Sequence, residues 1–185
     1  MAMIGLRLPP EAARLLSEIR VPGEPVDFGH AHVTLAYLGD GVPIEDVLKA
    51  AEVCFDVAQE TKPFQCSTRC TDCFPPDEEG TYPIICPVVA PELHLLKSSV
   101  DLGLEAAGVE YSKKFPEYHP HTTLTYSEEA CEPRLFDPIV WTVFDLVVWG
   151  GDHRDSGVVI NIPFAFKSLI AKTATKVALR WIGRH

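Results

Sequence analysis

Two short stretches of this sequence repeat one polar pattern: residues 30–39, HAHVTLAYLG, and residues 119–127, HPHTTLTYS. Every matching position is separated by 89 residues, as His32 is from His121. A repeat this short cannot stack as a solenoid. The repeated letters are polar, which is not the pattern of two similar core strands. The sequence therefore predicts that the protein needs two copies of one polar strand.

Both stretches alternate polar and apolar residues in the manner of β-strands. Successive side chains of a strand point to opposite faces, so we expect His30, His32 and Thr34 to share one face. Val33 and Leu35 then point to the other face. The second stretch follows the same rule, which predicts one packed face and one chemically active face on each strand.

The rest of the chain alternates predicted strands and helices in both halves, and the two motif strands fall at corresponding points. This pattern predicts an α+β fold of two lobes related by an approximate two-fold axis, with antiparallel sheets lining a central cleft and helices outside. We expect residues 1–163 to form a single bilobal domain and residues 164–185 to form a basic amphipathic helix. Strands are predicted near residues 3–8, 31–38, 63–72, 82–90, 119–126, 138–149 and 157–163, and helices over 9–19, 43–60 and 90–108.

The composition is that of an ordinary globular protein, with 46% hydrophobic and 23% charged residues among 185. The net charge of −10 is uneven: residues 164–185 carry +5, and the remainder is at −15. An acidic body disfavours long nucleic acids but leaves small nucleotides and short oligonucleotides as partners. Neither a secretory start nor a stretch of about 18 apolar residues is present, which predicts a cytoplasmic protein.

Two imidazoles that meet in one cleft suit acid–base catalysis at phosphorus. Because histidine titrates near pH ~6.5, one ring can accept a proton while the other donates one, and no metal or other cofactor is required. We expect the hydroxyls of Thr34 and Thr123 to hydrogen-bond the phosphate oxygens as negative charge develops there.

The motifs HVTL, residues 32–35, and PHTTL, residues 120–124, resemble the paired H-x-T motifs of the 2H phosphoesterases, the LigT-like 2′-5′ RNA ligases and 2′,3′-cyclic phosphodiesterases. The resemblance extends over about residues 2–163. It implies a bilobal α+β fold and metal-independent attack on phosphodiesters at a ribose 2′ position. It also implies His32 and His121 as the catalytic pair, with either one as the base, and Thr34 and Thr123 as phosphate ligands.

The segment VWGGDHRDSG, residues 148–157, is similar to phage-encoded relatives of that family. Some of those relatives destroy oligonucleotide second messengers of immune signalling. The resemblance therefore implies counter-defence, in the host cytoplasm, as one specific function of the chain.

One departure from the family concerns a cation. Many relatives carry an arginine after the second motif, whereas this chain has Thr125 and Tyr126 there. We predict Arg154 as the replacement substrate-binding residue, with Lys113 and Lys114 as alternatives. Arg154 could instead pair with a neighbouring aspartate on a solvated loop.

Four other interpretations stay open. His30 and His119 complete two H-x-H pairs, a spacing that suits a metal-dependent hydrolase. The chain could also be a non-catalytic nucleotide-binding module. Its C-terminal helix could pack on the body, on a second copy to form a homo-oligomer, or on a membrane surface. Four cysteines could bind zinc, although reduced buried thiols are the favoured interpretation: Cys66, Cys70, Cys73 and Cys86.

Overall fold

The computed structural model describes residues 1–115, 117–150 and 157–165. The described residues form three α-helices, ten strands and one 3-10 turn, Phe28–His30. The helices are Pro10–Ser17 (α1), Ile44–Glu60 (α2) and Pro91–Ala107 (α3). The strands are Ala2–Arg7 (β1), Glu24–Pro25 (β2), His32–Gly39 (β3), Phe64–Cys70 (β4), Asp72–Cys73 (β5), Tyr82–Pro87 (β6), His121–Ser127 (β7), Leu135–Val143 (β8), Asp145–Gly150 (β9) and Val158–Pro163 (β10).

Two four-stranded antiparallel sheets divide the strands, and each sheet contains one motif strand. The first has the order β10-β9-β1-β3 and the second has the order β2-β7-β6-β5, while β4 and β8 form a separate pair. Helix α2 packs against α3 and against β9. The predicted α+β class with antiparallel sheets is confirmed.

The start of α1 and the end of α3 lie where local chemistry predicts. Helix α1 begins at Pro10, whose missing N–H costs nothing in a first helical turn. Helix α3 ends before Gly108, whose φ of +66° is the left-handed conformation that closes many helices. Helix α3 buries an apolar face that consists of Leu93, Leu96, Val100 and Leu104.

The predicted strand 138–149 is wrong as a single element. The chain breaks at Phe144, so that β8 pairs with β4 whereas β9 pairs with β1 and β10. Phe144 is 60% exposed at this crossing, and its carbonyl accepts a hydrogen bond from the Phe164 amide at 2.8 Å. Residues 138–149 are mostly apolar on both sides of Phe144, so their composition gives no clear signal of a change of sheet, which explains the error.

Each motif strand is bordered by a segment that comes from the other half of the chain. Strand β2, which precedes β3, pairs with the edge of β7. In return, the segment before β7 contacts β3: the Ser112 amide donates to the Tyr37 carbonyl at 2.8 Å, and the Tyr118 hydroxyl donates to the Thr34 carbonyl at 3.2 Å. This reciprocal exchange is what a two-fold relation between the halves produces.

Several predictions concern residues outside the described ranges. Arg154 and nearly all of the predicted C-terminal helix lie there, so their structure and the proposed domain boundary stay predictions. Within the described ranges, no helix is long and apolar enough to cross a membrane.

Candidate active site

Strand β3 presents its first histidine and threonine on one face, as the alternation predicts. His32 and Thr34 are half-buried, whereas Val33 and Leu35 are only 1% and 2% exposed on the packed face. His30 does not share the face of His32 as predicted, because it ends the 3-10 turn before the strand begins.

Strand β7 repeats this arrangement. His121 and Thr123 are half-buried, and Thr122 and Leu124 are both 1% exposed on the packed face. His119 again lies before the first residue of the strand. The structure thus gives the two motifs the same local geometry.

The two motif histidines are held by the same hydrogen bond. The Nδ1 atom of His32 lies 2.7 Å from the carbonyl oxygen of His30, and that of His121 lies 2.6 Å from the carbonyl oxygen of His119. A carbonyl oxygen only accepts, so Nδ1 carries the proton in both rings. In a neutral ring, Nε2 is therefore left as the proton acceptor.

The flanking histidines contribute their carbonyls to the site, while their side chains pair with carboxylates at the surface. His30 Nδ1 lies 2.8 Å from Asp27 Oδ2, and His119 Nε2 lies 3.5 Å from Glu117 Oε2. Both rings are largely exposed, at 75% and 63%. Among residues 1–115, 117–150 and 157–165, no three His, Cys, Asp or Glu side chains gather in a way that could hold a metal ion.

The six cysteines, all within the described part of the chain, form no disulfide. Cys66 and Cys86 lie in the core, where burial raises the pKa of each thiol to about 12. Such thiols stay protonated near neutral pH, whereas zinc binds thiolates. Cys70 and Cys73 are half-buried.

The two motif histidines act on one another electrostatically. Burial is the main cause that lowers the pKa of His121 below its ordinary value, and the positive charges of His32 and His119 lower it further. The hydrogen bond to the His119 carbonyl opposes this shift but does not reverse it. Strands β3 and β7 also contact one another, so the strands that carry the two rings are neighbours.

Each motif histidine packs against an aromatic side chain of its own sheet. The His32 ring lies 5.5 Å from the Trp149 ring, and the His121 ring lies 4.8 Å from the Phe74 ring in an edge-on contact. Trp149 is 5% exposed and Phe74 is half-buried. These aromatic side chains therefore fix the orientation of the imidazoles.

Comparison with known proteins identifies the family. The sequence model of the 2′-5′ RNA ligase superfamily matches residues 8–155 and includes both motifs. The chain belongs to the 2′-5′ RNA ligase superfamily. This is the 2H phosphoesterase family that the paired H-x-T motifs resemble.

Solved structures with the same fold agree with this membership. TT0787 of Thermus thermophilus has a TM-score of 0.72 at 21% identity, over 90% of this chain and 99% of that protein. E. coli LigT complexed with NADP+ has a TM-score of 0.63 at 17% identity, over 87% and 93% of the two chains. LigT complexed with 3′-AMP has a TM-score of 0.61 at 18% identity, over 87% and 94%. No curated protein sequence gives a significant match.

The cations predicted for this 2′-5′ RNA ligase superfamily member lie elsewhere or outside the described residues. Lys113 pairs with Glu105 at 2.7 Å on an exposed surface. Lys114 lies 5.7 Å from the ring centre of Phe115, which is itself exposed. Arg154 belongs to the undescribed segment 151–156, so its role stays a prediction.

The sequence analysis missed Arg7, a cation that the structure places beside the first motif. Arg7 is the cross-strand partner of His32, and paired residues of an antiparallel ladder point to the same face. At the corresponding position beside His121, the partner is Pro87. An arginine in the apolar strand AMIGLR was the available signal, but no motif draws attention to it.

Proposed function

We propose that this chain is a metal-independent phosphodiesterase. Its substrates would be small nucleotides or short oligonucleotides with ribose 2′-linked or 2′,3′-cyclic phosphates. The observation that carries the proposal is the pair of interacting histidines, each with Nδ1 bound to a backbone carbonyl and thus Nε2 available for proton transfer.

The lowered pKa of His121 favours His121 as the base in the proposed mechanism. His121 is neutral near pH 7, and its Nε2 accepts a proton from the nucleophile. Protonated His32 then donates a proton to the leaving oxygen. Thr34 and Thr123 donate hydrogen bonds to the non-bridging oxygens as the pentacoordinate phosphorus gains negative charge.

The nucleophile depends on the substrate. A water attacks a 2′,3′-cyclic phosphate, whereas a vicinal ribose hydroxyl attacks the phosphorus of a linear or cyclic oligonucleotide. The LigT complexes with NADP+ and 3′-AMP support nucleotides as the class of ligand for this fold. The proposal extends to cyclic oligonucleotide messengers, and hence to a phage counter-defence role.

A substrate panel tests the proposal. We expect the purified protein to hydrolyse at least one of 2′,3′-cyclic nucleotides, 2′-5′ oligoadenylate and cyclic dinucleotides, with products separated by chromatography. His32→Ala and His121→Ala should each lower turnover by about 10² or more, since each removes a proton-transfer group. Circular dichroism checks that both variants fold.

His30→Ala and His119→Ala are the matched controls. They keep the backbone carbonyls that hold the motif histidines and remove only the exposed rings, so we expect turnover within about threefold of wild type. Activity that survives loss of either motif histidine contradicts the mechanism. Activity that disappears with EDTA supports a metal-dependent hydrolase, and binding without turnover supports a nucleotide-binding module.

A further inference from the structure

Of the two residues that pair across the sheet with the motif histidines, only one is charged. Arg7 lies next to His32 on β1, whereas Pro87 occupies the equivalent place next to His121 on β6. Strand β1 lies on the far side of β3 from β7, so the guanidinium flanks the catalytic pair rather than lying between its members.

The guanidinium of Arg7 has an unsatisfied donor. It lies 5.6 Å from the centre of the Trp149 ring, the same ring that packs against His32. Its Nε atom is buried and has no hydrogen-bond partner, and the side chain forms no ion pair with any residue in the described ranges. Solvent does not reach this Nε atom, so a ligand in the cavity beside Arg7 would bind the terminal nitrogens of the guanidinium.

A cavity of about 420 Å³ opens beside Arg7. Phe144, Asp145 and Asn161 also line it. Phe144 is 60% exposed, so a large aromatic side chain borders the cavity with part of its ring free. Burial raises the pKa of Asp145, and the positive charge of Arg7 opposes that shift, so the two side chains act on one another within the cavity.

We propose that Arg7 and this cavity form a subsite for a second nucleotide of the substrate, with its phosphate on Arg7 and its base against Phe144. This inference rests on the proposed phosphodiesterase function. Under this proposal the substrate is longer than a mononucleotide. It extends from the catalytic pair past His32 into the cavity.

Three observations favour this ligand. The guanidinium fork matches the geometry of phosphate oxygens, and Arg7 lines the cavity without forming an ion pair with any described residue. An exposed aromatic ring is a stacking surface for any base. The amide of Asn161, which also lines the cavity, can donate to and accept from the base edge of a nucleoside. The reacting phosphate lies between His32 and His121, so Arg7 is placed for the next phosphate along the chain.

Three probes separate the parts of the subsite: adenosine 2′,3′-cyclic phosphate, the same compound with a 5′-phosphate, and the dinucleotide ApA with a 2′,3′-cyclic end. In the wild type we expect kcat/KM to rise at each addition. Arg7→Gln should abolish the gain from the 5′-phosphate, which is about tenfold for one charge-assisted hydrogen bond. Phe144→Ala should abolish the gain from the second nucleoside.

Arg69→Gln is the matched control, because Arg69 is an exposed arginine on β4 that does not line the cavity. Arg69→Gln should leave both gains in kcat/KM unchanged, the gain from the 5′-phosphate and the gain from the second nucleoside. If Arg7→Gln lowers kcat/KM equally for all three probes, Arg7 acts on the reacting phosphate and the subsite is wrong. Equal kcat/KM for the three probes in the wild type also overturns it.

If the wild type hydrolyses none of the probes, that result refutes the proposed function alone. A binding measurement then still tests the subsite. Calorimetry should then show tighter binding of adenosine 3′,5′-bisphosphate than of adenosine 3′-phosphate. Asp145→Asn removes the negative charge that faces the same cavity, so it should tighten bisphosphate binding about threefold or more, opposite in sign to Arg7→Gln. Weaker binding in Asp145→Asn, or equal affinities in the wild type, contradicts the subsite.

Discussion

The chemistry of each motif histidine depends on a backbone carbonyl two residues earlier. The carbonyls of His30 and His119 fix the protonated nitrogen of His32 and His121, respectively. A mutation of either flanking side chain cannot remove these acceptors. The backbone reaches this geometry because Asp27 caps the 3-10 turn before β3, where its Oδ1 accepts the Gly29 amide at 2.9 Å.

The lowered pKa of His121 predicts how the two rings titrate. We expect NMR to show His121 titrating below the ordinary value of 6.5. His32→Ala should raise the pKa of His121, because it removes a nearby positive charge and exposes the ring to water. The acid limb of the kcat/KM profile should follow the same group, so that activity falls as pH drops through the lowered pKa, where His121 becomes protonated.

Two NMR results would contradict the interaction between the His32 and His121 rings. If His121 titrates above 6.5, or if His32→Ala leaves its pKa unchanged, the two rings do not interact as described. The base and acid roles would then exchange or belong to other groups.

The residue pattern predicted the faces of the motif strands better than it predicted the residues around them. The alternation within each motif was enough to predict that His32 and Thr34 share one face. It could not predict that His30 leaves the strand, because a turn residue and a strand residue carry the same letter. Arg7 was missed for a related reason, since only the pairing of β1 with β3 brings it next to His32.

At the scale of single elements, the approach of β1 to β3 depends on a residue without a side chain. A Cβ on Gly5 would lie 2.5 Å from the Val33 carbonyl oxygen and 3.2 Å from the Trp149 ring. The absence of a Cβ at this position lets Trp149 lie across the sheet and contact His32. Glycine here is therefore a requirement of packing rather than of backbone conformation.

Gly5→Ala should disturb both stability and the site. We expect the free energy of unfolding to fall by about 1–3 kcal/mol, because the Val33 carbonyl cannot move away without shifting β3. Turnover per folded molecule should fall as well, since β3 carries His32. Urea denaturation and steady-state kinetics measure the two effects.

Gly103→Ala separates the two effects. A Cβ there would meet the Val53 side chain at 2.4 Å between α3 and α2, so the substitution crowds the helix pair. We expect altered stability with unchanged turnover per folded molecule. Unchanged stability and turnover in Gly5→Ala would show that the close approach of β1 to β3 matters neither for stability nor for turnover.

At the scale of the whole molecule, the duplication explains why sequence reasoning reached the fold. Repeated motifs at corresponding points predicted two lobes, and the Gly108 cap and the proline helix starts fixed the helices. The break at Phe144 was beyond such reasoning, because the sequence is mostly apolar on both sides of it. Contacts between the halves were equally hidden, since they join residues far apart in sequence.

Tyr118 provides a test of the contact between the halves. Tyr118→Phe removes the hydroxyl that donates to the Thr34 carbonyl, and it leaves that carbonyl without this donor. We expect a loss of about 0.5–1.5 kcal/mol in the free energy of unfolding, the usual net value of one hydrogen bond. Thermal or denaturant unfolding measures it.

Tyr111→Phe serves as the comparison. Its hydroxyl donates at 3.1 Å to the exposed carboxylate of Glu105, so we expect a smaller loss. Equal losses in the two variants would mean that the hydrogen bond across the halves contributes no more than a surface contact.

The exchanged edge segments also limit how the molecule can move. A hinge that opened the two lobes would have to separate β2 from β7 and, at the same time, break the hydrogen bonds of Ser112 and Tyr118 to β3. Both sets of contacts lie on the strands that carry the motif histidines. The groups proposed to react are thus held in place by the fold itself, and the free energy of ligand binding need not be spent on assembling them.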